Sequence, residues 1–480
     1  MAADVGVGAV TDEALTEALS SMATELEVPG VAVGVFADGQ ERYAFHGVTS
    51  VENPLPVDET TLFQFGSTGK TFTATAMMRL VEAGDVDLDA PVRTYVPELT
   101  LKDADVAERV RVRDLLNHTA GWTGDRLDET GDGDDALAKY VALMADFDQV
   151  TPLGATVSYN NASLSLAGRI IEKVTGKTFE EAISELLLKP LGLTHSFYFP
   201  DDIMTRRFVV GHHRHEDGRI TIARPWAIPR GSNPAGGMSA TAEDQLRWAR
   251  FHLGDGTASD GTRVLSAETV ALMQRPTVQM PGSALGDAVG ISWLLRSVAG
   301  TEIVGHGGTT NGQHSNFTMV PSRGFGFISM TNCGPNGPEL NQKLLKWALQ
   351  HYLGMVEEEA TPIGLSDELL AAYLGQYETV AAVITVTTEA THPGRLVARV
   401  AVKPEMASVL REAGQDPDEE QPPFVVAFLA GDGDRFIVPD GPAKGMKGYF
   451  ARGDDGLVNG VHLGGRLATR SAASASVSAS

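Results

Sequence analysis

The order of strand-like and helix-like segments in residues 1–355 is the feature that most constrains the fold of this chain. Residues 29–36 and 41–48 have the pattern of two strands joined by a tight turn, and further strand-like segments lie within residues 291–330. Within residues 110–256 the apolar residues mostly recur at helical spacing. Because strands at the two ends of such a segment need each other as sheet partners, we predict an α/β domain whose sheet is closed by its N- and C-terminal parts, with a helical insertion.

The composition changes beyond residue 355. Residues 356–364 are charged and contain a proline, which is typical of a linker. Short strand-like runs separated by Gly, Pro and Asp turns follow in residues 365–470, and their regular spacing predicts a small antiparallel barrel or sandwich. These runs are residues 381–388, 395–402, 424–429, 435–438, 445–451 and 457–463. Residues 471–480 are of low complexity and are predicted to be disordered.

The charge and the cysteine content argue against several classes of partner. The formal net charge is −24, from 62 acidic and 38 basic residues, and such a surface repels nucleic-acid phosphates and anionic lipid head groups. We therefore expect neither a nucleic acid nor a membrane as partner. The lone Cys333 cannot form an intramolecular disulfide or a cysteine-rich metal site. Residues 1–10 lack the basic and apolar regions of a signal peptide, so the chain as written is expected to be cytoplasmic, or exported if a leader has been removed.

Residues 65–70, FGSTGK, open a segment of helical periodicity that ends at Gly84. If Ser67 begins the helix, the i to i+3 spacing puts the amine of Lys70 beside the hydroxyl of Ser67. A serine hydroxyl needs a neighbouring base to attack a carbonyl, and a partly desolvated lysine can have its pKa lowered enough to act as one. The free N–H groups of a helix N-terminus also suit an oxyanion. The spacing predicts a nucleophile and its base, although S-x-x-K alone is a common pattern.

The same letters also resemble the end of a phosphate-binding loop, since residues 66–71 are GSTGKT. That loop requires a glycine five residues before Gly69, and this chain has Gln64 there. The phosphate-binding pattern therefore fails at this position. A nucleotide-dependent enzyme is kept as the alternative from a different class, and binding of Mg²⁺ and nucleotide would test it.

Two downstream segments carry residues that the serine-nucleophile interpretation predicts. Residues 157–161, VSYNN, precede a predicted helix and place Tyr159 two residues before Asn161. Residues 304–309, VGHGGT, end a strand in glycines, where a ligand can approach the backbone closely. Taken alone, the first segment is typical of a turn with a helix cap at Asn161, and the second of a bulge with an incidental His306.

Together, in the order S-x-x-K, Y-x-N and H-x-G, these segments resemble the serine β-lactamases of class C and, more closely, the CubicO-group serine peptidases with related D-aminopeptidases and esterases. The resemblance covers residues 12–355 and includes LLNHTAG at 115–121, PLGL at 190–193 and PAGGM at 234–238. It implies a β-lactamase/transpeptidase-like fold with an all-helical subdomain. It also implies that residues 365–470 form a lipocalin-like barrel, which in such proteins is a candidate cap of the active-site cleft.

The resemblance further implies a role for each residue of the three segments. Ser67 is expected to be the nucleophile, with Lys70 and Tyr159 as the pair that transfers protons. Asn161 is expected to bind Lys70 and the substrate amide, and His306 occupies the third-motif position. Gly307 and Gly308 are expected to contact the substrate. The N–H groups of Ser67 and Thr309 are expected to form the oxyanion hole. A Lys70 cation would lower the pKa of the Tyr159 phenol, so the two groups should titrate as a coupled pair.

The third segment departs from the true β-lactamases, which carry Lys-Thr-Gly or a close variant where this chain carries His-Gly-Gly. Histidine is only partly charged near neutral pH, so carboxylate-bearing antibiotics are not expected as main substrates. The resemblance then implies a serine hydrolase or acyltransferase acting on amide or peptide bonds, especially those next to D-residues in small peptides. The open alternatives are a carboxylesterase, a peptide-cyclising thioesterase-type acyl transfer, and a penicillin-binding receptor or inactive relative without turnover.

Other clusters favour a structural interpretation. Residues 212–216 contain three histidines and a glutamate, which a hairpin tip explains as well as a metal does. Residues 132–135 contain three aspartates without the glycine and glutamate spacing of a calcium loop. His118 lies in a phrase of the resemblance and receives no role. The sequence thus predicts no metal and no organic cofactor, and it leaves the oligomeric state open.

Overall fold

The structure is a computed structural model that describes residues 10–358, 360–404, 406, 422–431, 433–441 and 443–471. The tail predicted to be disordered lies outside the described residues except for Ser471. The helices of the described part are α1 (Asp12–Glu25), α2 (Gly69–Ala83), α3 (Ala104–Arg109), α4 (Val112–Leu116), α5 (Ala136–Leu143), α6 (Asn161–Thr175), α7 (Phe179–Ile183), α8 (Lys189–Leu191), α9 (Pro200–Ile203), α10 (Asn233–Gly236), α11 (Ala242–Leu253), α12 (Ala267–Met273), α13 (Asn336–Leu353) and α14 (Asp367–Leu370).

The strands of the same part are β1 (Gly30–Ala37), β2 (Gln40–Gly47), β3 (Phe63–Gln64), β4 (Ser196–Phe197), β5 (His212–Arg214), β6 (Ile220–Ile222), β7 (Ser239–Ala240), β8 (Val278–Ser283), β9 (Gly286–Val289), β10 (Leu294–Val298), β11 (Thr301–Thr309), β12 (His314–Val320), β13 (Phe325–Thr331), β14 (Cys333–Gly334), β15 (Pro362–Ile363), β16 (Gly375–Glu378), β17 (Ala382–Thr387), β18 (Leu396–Val402), β19 (Phe424–Leu429), β20 (Arg435–Ile437), β21 (Lys447–Arg452), β22 (Val458–Leu463) and β23 (Arg466–Arg470).

One antiparallel sheet joins the two ends of the first 355 residues. Its strand order is β2-β1-β13-β12-β11-β10-β9-β8, and Val31 of β1 lies opposite Thr331 of β13. This pairing confirms the prediction that the N- and C-terminal parts share a sheet. The apolar side chains of α1 and α13 cover one face of the sheet, where they pack with the odd-numbered residues of β1. Helices α2, α6 and α11 belong to the apolar cluster on the other face, so the sheet lies between two helical layers, as the mixed α/β prediction requires.

Local sequence signals set the ends of the helices near the motifs. At the start of α6, the side chain of Asn160 accepts a hydrogen bond from the Ser163 N–H at 2.9 Å, a cap that stabilises a helix by about 1 kcal/mol. The predicted cap was Asn161, one residue further on. Helix α2 ends at Gly84, whose φ of 84° is left-handed, as the sequence predicted. The short strands β4 and β7 lie within the predicted helical segment and form a small sheet with β3, which precedes α2; the sequence pattern did not reveal these three strands.

The C-terminal strands form the predicted barrel. Strands β16 to β23 pair antiparallel in chain order, and pairing of β16 with β23 closes the barrel, while β15 adds to β19. The six runs expected from the sequence correspond to β17 to β22. The two closing strands were missed because β16 and β23 are only four and five residues long and about half polar. Within the described residues, no helix is both long and apolar enough to cross a membrane.

Candidate active site

Ser67 lies in a short helical turn, Gly66–Thr68, that leads directly into α2. Gly66 has a φ of 56°, and a Cβ there would lie 2.6 Å from the Thr309 nitrogen, so only glycine permits this close approach to β11. Two further bonds fix the turn on the sheet: Thr68 Oγ1 donates to the His306 carbonyl at 3.3 Å, and Ser315 Oγ donates to the Phe65 carbonyl at 2.7 Å. The turn thus presents Ser67 between the start of α2 and the third motif.

The amine of Lys70 is buried beside the Ser67 hydroxyl. Its Nζ lies 3.1 Å from Ser67 Oγ and donates to the Ala235 carbonyl at 2.6 Å. Burial lowers the pKa of the Lys70 amine well below its ordinary value, the Arg466 cation lowers it further, and the Asp125 carboxylate opposes the change. The helical spacing therefore brings the two side chains together as expected, and the amine is held in an environment that favours its neutral form.

Tyr159 is the residue before the cap of α6, and its ring is surrounded by basic groups. The ring centre lies 4.9 Å from Lys70 Nζ, 4.7 Å from the Arg466 guanidinium and 4.4 Å from the centre of the His118 ring. Burial raises the pKa of the phenol, which the nearby Ser67 hydroxyl and the Arg466 cation only partly offset. The pKa of the phenol is thus raised in the resting site, because desolvation is the largest effect and burial favours the neutral Lys70 amine. The lowering of this pKa by a Lys70 cation stays a prediction. The hydroxyl makes no well-aligned hydrogen bond to the described residues.

The third motif lies on β11, which runs beside the serine turn. His306 is buried, and its Nδ1–H donates to the Gly307 carbonyl at 2.6 Å. Burial lowers the pKa of His306 to about 3, with the Lys70 charge as a smaller cause. The imidazole is therefore neutral at physiological pH, and the partial charge expected from its free pKa is absent. Gly307 and Thr309 are exposed, whereas Gly308 packs so closely on the serine turn that a Cβ would lie 1.9 Å from the Phe65 carbonyl oxygen.

Asn161 does not bind Lys70 in this structure. Its side-chain Nδ2 donates to Asp125 Oδ1 at 2.9 Å, while the hydrogen bonds of Lys70 go to Ser67 and Ala235. The bond to Asp125, which lies in the loop after α4, uses only the NH₂ group of the Asn161 amide, so binding of Lys70 by Asn161 stays a prediction. A contact of Asn161 with a substrate amide stays a prediction.

Arg466 and Asp125 are two further residues of the site that were not predicted from the sequence. Arg466 begins β23 of the C-terminal barrel, and its guanidinium donates to both oxygens of Asp125 at 2.9 and 3.0 Å. The same barrel hairpin accepts a hydrogen bond from the Tyr159 N–H at the Gly465 carbonyl, 2.9 Å away. The barrel therefore contributes to the wall of the site. No local motif marks Arg466, because its significance arises only from the docking of the barrel.

Two of the three histidines in residues 212–216, His212 and His215, have hydrogen-bond partners within the fold. His212 accepts a hydrogen bond from the Val51 N–H at Nε2, 3.2 Å away, and its Nδ1–H donates to the Asn332 carbonyl at 2.8 Å. The acidic loop at residues 132–135 is held by Arg230, which contacts the Asp134 carboxylate at 3.0 Å. These contacts are of the kind that the structural interpretation of the two clusters predicts.

Comparison with known proteins places this geometry in context. The profile of a family described as Beta-lactamase matches residues 15–351. Penicillin-binding protein 4 of Amycolatopsis lactamdurans is 37% identical over 324 residues, which are 66% of this chain and 84% of that protein. A crystal structure of SurE superposes with a TM-score of 0.75 at 25% identity, covering 96% of this chain and 99% of that one. A class C β-lactamase from Rhodobacter sphaeroides has a TM-score of 0.58 at 26% identity, covering 70% and 99%.

Proposed function

Because the chain belongs to the β-lactamase family of serine hydrolases, we propose that it forms an acyl-enzyme on Ser67 and cleaves or transfers amide or peptide bonds of small peptides, including bonds next to D-residues. The observation that carries this proposal is the 3.1 Å separation of Lys70 Nζ from Ser67 Oγ at a position where burial favours the neutral amine. A nucleophile with an adjacent base is what acyl transfer requires.

The first step is attack by Ser67. Lys70 Nζ donates a hydrogen to the Ala235 carbonyl and lies 3.1 Å from Ser67 Oγ, and in its neutral form the amine has a lone pair that can accept the proton of the Ser67 hydroxyl. As Oγ attacks the substrate carbonyl, the O–H bond breaks and the proton passes to Nζ, while the carbonyl electron pair moves to oxygen. The N–H groups of Ser67 and Thr309 hold that oxyanion, an arrangement in which one donor contributes a rate factor of about 10²–10³.

The leaving amine must then receive a proton. Tyr159 is protonated at neutral pH because burial raises its pKa, and Lys70 has just accepted a proton. We assign Tyr159 as the donor to the leaving nitrogen, with Lys70 returning a proton to the phenolate, so that C–N cleavage leaves a neutral amine and the Ser67 ester. Water or an acceptor amine attacks this ester in the reverse sequence. Since the two groups lie against each other, their titration belongs to the pair.

The charges around the site favour substrates without a carboxylate next to the scissile bond. His306 is neutral because its pKa is about 3, whereas a lysine at that position would be a permanent cation. The Arg466 guanidinium, the cation nearest Tyr159 among the described residues, is already paired with Asp125 through two hydrogen bonds. Neither His306 nor the paired Arg466 therefore offers a free positive charge to a substrate carboxylate. We expect neutral amides and esters to react in preference to anionic ones.

Hydrolysis of matched chromogenic substrates tests this proposal. The panel is D-alanine p-nitroanilide, L-alanine p-nitroanilide and p-nitrophenyl acetate, each with and without an added amine acceptor, and Ser67→Ala is the control variant. We expect turnover of an anilide that Ser67→Ala abolishes. Turnover of the ester alone selects a carboxylesterase, and anilide turnover that survives in Ser67→Ala contradicts the proposal.

A penicillin-binding receptor is the second candidate, and the 37% identity to a penicillin-binding protein favours it. This function shares the acylation step and differs in the release step. Intact-protein mass spectrometry after exposure to penicillin G separates the two: a stoichiometric adduct that persists for hours supports the receptor, and an adduct that clears within minutes supports a hydrolase.

A further inference from the structure

His118 adopts a backbone conformation that L-residues rarely use. Its φ is 62°, in the left-handed region, and its side chain is buried. A non-glycine residue in this region is held there by its surroundings, and such strain concentrates at functional sites. His118 follows α4 in the LLNHTAG phrase, and the sequence alone assigns it no role.

Two hydrogen bonds connect His118 to the residues on either side of Tyr159. The His118 carbonyl accepts from the Ser158 N–H at 3.0 Å, and His118 Nδ1 accepts from the Asn160 N–H at 3.1 Å. The imidazole also lies against the phenol ring, with centres 4.4 Å apart. One residue thus fixes the backbone before and after Tyr159 and one face of its ring.

The left-handed conformation makes this double contact possible, because it lets the backbone carbonyl and the side-chain nitrogen of His118 both face the segment around Tyr159. The carbonyl accepts from Ser158 and the ring nitrogen from Asn160. The bond to Nδ1 also fixes the tautomer, since a nitrogen that accepts an N–H carries no proton. Burial lowers the pKa of His118 well below its ordinary value, and the charges of Lys70, His306 and Arg466 lower it further. The neutral ring that this acceptor role requires is therefore the stable form.

Other contacts hold the same segment at greater distance from the phenol. Asn160 Nδ2 donates to the Trp122 carbonyl at 2.7 Å, and the Asn161 N–H donates to the Gly124 carbonyl at 3.1 Å. These bonds anchor the start of α6, and they do not touch the Tyr159 ring. His118 differs from them because it contacts both the backbone around Tyr159 and the ring.

We propose that His118 is a positioning residue that holds Tyr159 at the distance from Ser67 and Lys70 needed for proton transfer. This inference rests on the proposed acyl-transfer function. Displacement of a catalytic group by about 1 Å can lower a rate by about 10²-fold, so loss of the Nδ1 acceptor is expected to slow acylation although the protein stays folded.

The matched pair His118→Asn and His118→Gly tests the acceptor separately from the backbone. Asparagine and glycine both tolerate a left-handed φ, and only asparagine supplies an oxygen near the position of Nδ1. The readout is the rate of p-nitroanilide hydrolysis, in which the leaving nitrogen needs the proton of Tyr159. We expect anilide hydrolysis by His118→Gly to be about 10–100-fold slower than by wild type and that by His118→Asn to be within about 3-fold of wild type. Equal slowing in both variants, or none in either, overturns the proposal.

A second comparison asks whether His118 acts through Tyr159. His118→Gly is measured again in a Tyr159→Phe background, where the hydroxyl to be positioned is missing. We expect the further loss there to be within about 3-fold, and the same loss in both backgrounds would indicate a structural role only. His252→Leu, which removes another buried imidazole, is the control for general destabilisation. Wild-type protein that neither hydrolyses an anilide nor is labelled on Ser67 by a fluorophosphonate contradicts the proposed function itself, whereas active wild type with unaffected anilide hydrolysis in His118→Gly contradicts only this inference.

Discussion

The guanidinium of Arg466 lies 4.7 Å from the centre of the Tyr159 ring, although the two residues belong to the C-terminal barrel and to the β-lactamase-like region. The Gly465 carbonyl accepts the Tyr159 N–H at 2.9 Å, so the barrel contacts this residue through both backbone and side chain. The electrostatic environment of the candidate site therefore depends on the docked barrel.

Arg466→Ala and Asp125→Asn are expected to shift the pH dependence of acylation in opposite directions. Burial is the main cause of the lowered Lys70 pKa, Arg466 lowers it further, and Asp125 raises it. Acylation needs the neutral amine, so its rate should rise with pH through the Lys70 pKa. Removal of Arg466 raises that pKa and moves the rise to higher pH, whereas removal of the Asp125 charge moves it to lower pH. The measurement is the fluorophosphonate labelling rate against pH, and shifts of the same sign in both variants would contradict this account.

Tyr159→Phe is expected to lower anilide hydrolysis by about 10²–10⁴-fold, because it removes the proposed proton donor to the leaving nitrogen. A p-nitrophenolate leaving group needs no proton near neutral pH, so ester hydrolysis should fall much less. Steady-state kinetics of the two substrates give the comparison. Equal losses on both would assign Tyr159 to the attack step instead.

Gly308→Ala is expected to disturb the site, and Gly307→Ala serves as its structural control. A Cβ on Gly308 would lie 1.9 Å from the Phe65 carbonyl oxygen and 2.8 Å from the Ser67 nitrogen, whereas a Cβ on Gly307 would meet the Ser315 carbonyl oxygen at 3.5 Å. Overpacking of this kind costs about 1–3 kcal/mol. Thermal unfolding should show a lower Tm for Gly308→Ala and an almost unchanged Tm for Gly307→Ala, and comparable melting of the two would refute the close packing of β11 on the serine turn.

His252 is expected to contribute to acid destabilisation. Burial lowers its pKa to about 3 from 6.5, so the folded state excludes a proton that the unfolded state binds. This contribution to stability is complete above about pH 6.5 and is lost as the pH falls from there towards 3, with a loss of roughly 2 kcal/mol at about pH 5. His252→Leu should therefore lose less stability than wild type between about pH 7 and pH 5. Denaturant unfolding at the two pH values measures the difference, and equal losses would mean that His252 takes up a proton in the folded state.

Much of the fold followed from the sequence because its signals are local. The spacing of Ser67 and Lys70 specifies one helix face, and Gly84 ends that helix in the conformation that glycine favours. The pairing of β1 with β13 could also be predicted, since strands at both ends of a helical segment need partners. The closing strands β16 and β23 were missed because short, half-polar segments carry little periodicity.

The environment of the site could not be predicted in the same way. Arg466 lies 341 residues beyond its partner Asp125 in the chain, so no spacing rule connects them. The pKa directions of Tyr159 and His306 depend on burial, which the free pKa of an isolated side chain does not reveal. The contacts of His118 could not be predicted either, since neither its φ nor its two bonds around Tyr159 can be read from LLNHTAG.

Intact-protein mass spectrometry with peptide mapping after fluorophosphonate treatment tests the central claim most directly, with Ser67→Ala and Lys70→Ala compared with wild type. The account predicts one adduct on Ser67 in wild type, none in Ser67→Ala, and labelling slowed by about 10²-fold or more in Lys70→Ala. A folded wild-type protein that acquires no adduct, or an adduct that maps elsewhere and persists in Ser67→Ala, would contradict it.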